Sequence, residues 1–229
     1  MLEELALVYP SNEDGKQFAL FGGYAPNLRT ITLNSVRLAC PSIFHHLNDL
    51  RYTHMRTTDV HSVWDLLSTL QACVVLQHLH VVFDVRHRNL APFLVHHDRS
   101  CHVHHVHLRH LQISILGQDV PAEMELFLRH AEFPNITILH CAHTPISGAR
   151  LFSNVIRHVP RLGPLRYLKE LKVEHGWVDR RFISTIATKA TRLVRVSVLM
   201  HDQTPICMFV PGHVDRSQHW LERAEILWP

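Results

Sequence analysis

The sequence has few of the residues that usually announce a chemistry. It holds five cysteines, Cys40, Cys73, Cys101, Cys141 and Cys207, an odd number with no Cys-x-x-Cys pair among them. That scatter argues against a disulfide framework and a regular zinc module. Cys73 and Cys141 fall where small apolar residues belong, so they read as reduced core thiols of an intracellular protein, cytoplasmic or nuclear. Glycine is scarce, at 8 in 229 residues. No Gly-x-Gly-x-x-Gly, Walker loop, Gly-x-Ser-x-Gly or His-Glu-x-x-His occurs, and with them go the common signatures of nucleotide, hydrolase and metalloprotease sites. Gly22-Gly23 lacks the helix and lysine of a phosphate cradle and reads as a turn. No apolar run approaches the roughly 18 residues that span a bilayer. Glu3 and Glu4 near the N-terminus rule against a secretory signal. The formal net charge of +3, with no basic block, does not point to nucleic acid. Neither a catalytic site nor a metal site nor a cofactor is assigned on these grounds.

What is present is a repeated phrase, Leu-x-x-Leu-x-Leu or its apolar equivalent, about every 25 to 30 residues, a period that marks leucine-rich repeats. It runs through Leu2, Leu5, Leu7; Leu28, Ile31, Leu33; Leu47, Leu50, Tyr52; Leu76, Leu79, Val81; Leu108, Leu111, Ile113; Ile136, Leu139, Cys141; Leu168, Leu171, Val173; and Leu193, Val196, Val198. The last two apolar positions of each phrase alternate with other residues, as in a half-buried strand. The third phrase is the weakest. Between phrases lie helical stripes: Val60, Val63, Trp64, Leu67 and Leu70, with Thr58 or Asp59 as cap; Met124, Phe127 and Leu128 behind Pro121; Leu151, Phe152, Val155 and Ile156, ended by Pro160; and Phe182, Ile183, Ile186, Ala187 and Ala190 behind the cap Asp179.

Strand, turn, helix and return predict an α/β leucine-rich-repeat solenoid. The expected form is a curved parallel sheet with helices on the convex side and strands on the inner face. Residues 1–229 form one domain of about eight irregular repeats. The step from Leu28 to Leu47 is the shortest; those from Leu76 to Leu108 and from Ile136 to Leu168 are the longest. The Asn or Cys usual three positions after the last strand Leu is missing. Pro10, Val36, Met55, Asp84, Leu116, Thr144, Gly176 and His201 stand there instead, so other hydrogen bonds must satisfy the turn backbone. Residues 84–101 and 200–218 read as longer loops, the second leading to a short helix over 217–224.

The residues flanking the buried strand positions face the other way. They form three columns: Glu4, Thr30, Asp49, His78, His110, Ile138, Glu170 and Arg195; Ala6, Thr32, Arg51, His80, Gln112, His140, Lys172 and Ser197; Val8, Asn34, Thr53, Val82, Ser114, Ala142, Glu174 and Leu199. The polar members Thr30, Thr32, Asp49, Arg51, His78, His80, His110, Gln112, His140, Glu170, Lys172 and Arg195 are the candidate partner-binding residues, with a protein as the expected partner. The competing reading is a plain solvated strand face.

Histidine is abundant, 22 in all. The run from Val95 to His107 offers imidazoles beside Asp98 and Cys101, but no second ligand pair completes a regular zinc spacing. His78, His80, His110 and His140 are expected on neighbouring strands, about 5 Å apart. A His-rich metal-binding protein is the alternative reading, and a charge-changing surface a further one.

The runs Ala25-Pro26-Asn27-Leu28-Arg29-Thr30-Ile31-Thr32-Leu33, Leu108-Arg109-His110-Leu111-Gln112-Ile113-Ser114 and Phe133-Pro134-Asn135-Ile136-Thr137 resemble the repeats of fungal F-box proteins with leucine-rich-repeat tails. The resemblance implies that the repeats capture a substrate for a ubiquitin ligase, to which an N-terminal F-box docks them. This sequence opens inside a strand phrase with no F-box ahead of it, so a ubiquitin-ligase partner is expected only if an F-box lies upstream. A free-standing repeat scaffold is the other version of the reading.

Overall fold

Each apolar phrase becomes a strand. The computed structural model describes residues 2–8, 17–34, 36–39, 41–55, 61–84, 102–144, 152, 155–200 and 206–209. Its main sheet comprises β1 (Glu4–Val8), β2 (Thr30–Asn34), β3 (Asp49–Met55), β4 (His78–Asp84), β5 (His110–Leu116), β6 (Ile138–Thr144), β7 (Glu170–Glu174), β8 (Arg195–Leu199) and β9 (Ile206–Phe209). The first eight pair in chain order and all run parallel, and β9 closes the far edge antiparallel to β8. The chain is therefore α/β with a mostly parallel sheet.

One backbone device is copied at every step. The carbonyl of Glu3 accepts from the N–H groups of Arg29 and Thr30. The carbonyls of Arg29, Asn48, Gln77, Arg109, Thr137 and Lys169 each do the same for two consecutive N–H groups of the next unit. A tight turn precedes most strands, with Leu28, Leu47, Leu76, Leu168 and Leu193 donating to the carbonyls of Ala25, Phe44, Cys73, Leu165 and Ala190. Identical turns give identical registers, so apolar side chains of successive units meet. Leu33, Tyr52, Val81, Ile113, Cys141, Val173 and Val198 line up across the sheet and share one buried cluster. Leu5 and Leu7 on the edge strand β1 are only half-buried. Each fully buried Leu, Ile or Val contributes about 1.5–3 kcal/mol.

Helices α1 (His61–Ala72), α2 (Ala122–His130) and α3 (Arg180–Lys189) cover one side of the sheet through Trp64, Leu67, Phe127, Phe182 and Ile186. Asp179 caps α3 by accepting the Phe182 N–H at 2.9 Å. Pro121 stands at the N-cap of α2, with Glu123 and Glu125 in its first turn and Arg129 and His130 in its last, charges that oppose the helix dipole. Gly22 and Gly23 take positive φ in the turn ahead of β2, as their lack of a side chain allows.

Several expectations need correction. The third stripe is a 3-10 helix, Val155–Leu162, and runs through Pro160 instead of ending there. Proline's fixed φ suits such a turn, and only one N–H is lost. The third phrase, the weakest in sequence, nonetheless forms the seven-residue β3 and buries Tyr52. Residues 206–209, assigned to a loop, are a strand, because an antiparallel return needs only a short connection to satisfy the β8 edge. Asp84 ends β4 and is buried rather than opening a loop. Residues 85–101, the proposed caps Thr58 and Asp59, and the helix over 217–224 lie outside the described residues. Among the described residues, no helix is long and apolar enough to cross a membrane.

Candidate functional site

The first two columns stand in register across eight strands, and the third from Val8 to Ala142. The first runs Glu4, Thr30, Asp49, His78, His110, Ile138, Glu170, Arg195. The second runs Ala6 to Ser197 through Arg51, His80, Gln112, His140 and Lys172 on the same pairings. They occupy the sheet face opposite the helices, since alternate residues of β2 to β8 belong to the core cluster and Leu5 and Leu7 of β1 pack against it.

The side chains on this face are paired with one another. His78 Nδ1 lies 3.2 Å from Asp49 Oδ2, and its ring meets the His110 ring edge to face at 5.8 Å. His80 Nε2 is 2.8 Å from Ser114 Oγ, which also accepts from Gln112 Nε2 at 3.3 Å. His140 Nε2 is 2.7 Å from Glu174 Oε1. Glu170 Oε1 sits between Lys172 at 3.6 Å and Arg195 at 3.5 Å. Thr30 and Thr32 lie on β2, beside Asp49 and Arg51 of β3 and two strands from His78 and His80, about 10 Å by strand spacing.

Burial and neighbouring cations act together on the imidazoles. Desolvation, with Arg51, His140 and His110 adding to it, lowers the His80 pKa to about 4. His110 is lowered by burial, then by His78, Lys172 and His140, with Asp49 opposing. Burial pushes the Glu174 carboxyl up, yet the His140 hydrogen bond and charge outweigh it and hold the group below the usual range. The face is thus a patch of imidazoles, an amide and a hydroxyl between β3 and β6, flanked by charge: Asp49 and Arg51 on one side, Glu170, Lys172, Glu174 and Arg195 on the other. It can offer hydrogen bonds of both senses and flanking ionic contacts. Among the described residues no group of three or more His, Cys, Asp or Glu side chains is arranged to hold a metal ion. His96, His97, Asp98 and Cys101 lie outside them.

Sequence reasoning treated the third column as part of the open surface. Its central members are buried instead: Val82, Ser114 and Ala142 are 4%, 7% and 7% exposed. Glu174 was placed in the third column but left out of the candidate contacts, and His143 was not singled out. Glu174 joins β6 to β7 by taking His140 on one oxygen and the His143 backbone N–H, at 3.4 Å, on the other. His143 takes over part of the turn-bonding left by the missing asparagines. Its Nε2 lies 2.8 Å from the Gly117 carbonyl and its Nδ1 2.9 Å from the Gly176 nitrogen. Trp177 Nε1 adds a bond to the Ala142 carbonyl at 3.1 Å. The alternation held a signal for His143, which continues the buried series of Leu139 and Cys141.

Cys73 and Cys141 are free and buried, and burial pushes the Cys73 thiol up to about 12 and Cys141 higher still. Neither is a nucleophile at neutral pH. No protein-family model matches the chain, and no curated protein matches it significantly.

Proposed function

We propose that the chain is a leucine-rich-repeat solenoid, curved with its strands inside, that binds a protein on the open sheet face. The observation that carries this reading is the unbroken register of the first two columns across β1 to β8, which lays polar side chains of eight units on one surface. Extended faces of this kind are what repeat proteins use for partners. Arg51, His80, Gln112, His140 and Lys172 are the central contact row; Asp49, His78, His110, Glu170 and Arg195 flank it, and Thr30 and Thr32 extend the surface toward β1. The resemblance of the Pro-Asn-Leu runs to F-box repeats supports the narrower role of substrate recognition for a ubiquitin ligase.

A photo-crosslinking residue placed at Arg51, Gln112 or Lys172 tests the reading, with Lys189 on α3 as control. Under the proposal, the three face positions give one discrete protein adduct in host extract. Arg51→Glu combined with Lys172→Glu removes it, and the Lys189 position does not form it. Adducts from Lys189 alone, or none from the face, would overturn the reading. Cullin-ligase subunits co-purifying with the full gene product support the narrower role; an adduct without them leaves a free-standing scaffold.

A further inference from the structure

His143 stands where its register partners are apolar. It pairs with Ile115, which pairs with Phe83, and all three are buried, His143 to 3% exposure. Its ring serves two backbones from different units, the Gly117 carbonyl after β5 and the Gly176 N–H after β7. Gly176 permits that approach: a Cβ there would stand 2.7 Å from His143 Nδ1 and 2.9 Å from Phe152 Cζ. An imidazole donates at one nitrogen and accepts at the other only when it is neutral. The contacts assign the proton to Nε2. Imidazolium carries N–H on both nitrogens, so its Nδ1–H would point at the Gly176 N–H across 2.9 Å.

We propose that His143 is an acid-operated latch. Neutral, it ties the turn after β5 to the turn after β7; protonated, it lets go of Gly176 and loosens the stack there. The groups acting on it come from several elements. Glu174 on β7 takes the His143 backbone N–H on Oε2 and holds His140 on Oε1. The His175 ring, in the turn after β7, lies 6.2 Å away. The Gly117 carbonyl, after β5, faces its Nε2. Burial, the largest influence, holds the imidazole below its ordinary value; His175 adds to this, and the Gly117 bond and Glu174 oppose it. A histidine kept neutral by folding is protonated first in the unfolded chain. Its contribution is therefore complete above the ordinary value of 6.5 and lost as pH falls below it. Because Glu174 also holds His140, release at His143 reaches the open face.

The test compares the full chain with His143→Gln, whose amide keeps one acceptor and one donor but gains no proton. Urea unfolding and amide exchange at Gly176 are followed from pH 7 to 5. The wild-type unfolding constant should rise more steeply, by up to about tenfold per pH unit for one proton. Gly176 protection should fall in wild type only. Equal slopes and equal protection would overturn the latch. If the variant does not fold, nitrogen NMR of the wild-type ring at pH 7 decides. The neutral Nε2-protonated tautomer supports the proposal, and an imidazolium or Nδ1-protonated ring refutes it.

Discussion

The two faces of the sheet are made by the same strands and obey different rules. On the helix side, Leu111, Leu139, Leu171 and Ile113 are fully buried in one cluster. On the open side, their neighbours in sequence, His110, Gln112, His140 and Lys172, keep partial exposure and meet His78, Ser114, Glu174 and Glu170 in turn. The covered face stores the stability, because apolar area leaves water there. The open face adds little to it, since its hydrogen bonds and ion pairs replace bonds to water. That division leaves the open face available for the binding proposed for it.

Substitution of adjacent residues gives the largest test. Leu111→Ala should cost about 2–5 kcal/mol in urea unfolding, whereas Gln112→Ala should cost under about 1 kcal/mol. Comparable losses would erase the contrast. A second test uses pH. His80, on the open side, has its pKa lowered to about 4 from the ordinary 6.5, burial acting before Arg51, His140 and His110. Stability should be complete above pH 6.5 and fall as pH drops toward 4. His80→Gln should flatten that slope between pH 6.5 and 5, modestly, because the ring is partly solvated. An unchanged slope would mean that the open face places no neutral histidine under strain from folding. Asp179→Ala removes the α3 cap and should lower stability by about 1 kcal/mol, read by thermal unfolding. Arg195→Ala removes a 3.5 Å pair on the exposed face and should change stability by less than about 1 kcal/mol; a larger loss would make this pair part of the core.

Sequence alternation was enough to place the columns, since side chains on a strand change face at every residue and each phrase restarts the count. It foresaw that Thr32, Arg51, His80, Gln112, His140 and Lys172 would stand in one row. It also placed Asp179 as a cap, a local effect within three residues of Phe182. It did not foresee that Ser114 and Ala142 would be covered, because their burial depends on what neighbouring strands bring over them. The run of Val155 through Pro160 looked like a helical stripe cut short, whereas tertiary packing of Val155, Val159 and Leu162 sustains a 3-10 helix across the proline. The pairing of 206–209 with β8 depends on an edge that exists only once β8 is in place.

By itself, then, the sequence determined the repeat spacing, the parallel order of strands and the chemistry of each face, all of which follow from side-chain period and turns a few residues long. Only the tertiary structure decided which polar groups become neighbours. The Gly176 N–H reaches His143 from 33 positions away, and His140 finds Glu174 across 34. Such partners are chosen by the stacking of units, since distance along the chain bears no fixed relation to distance across a sheet.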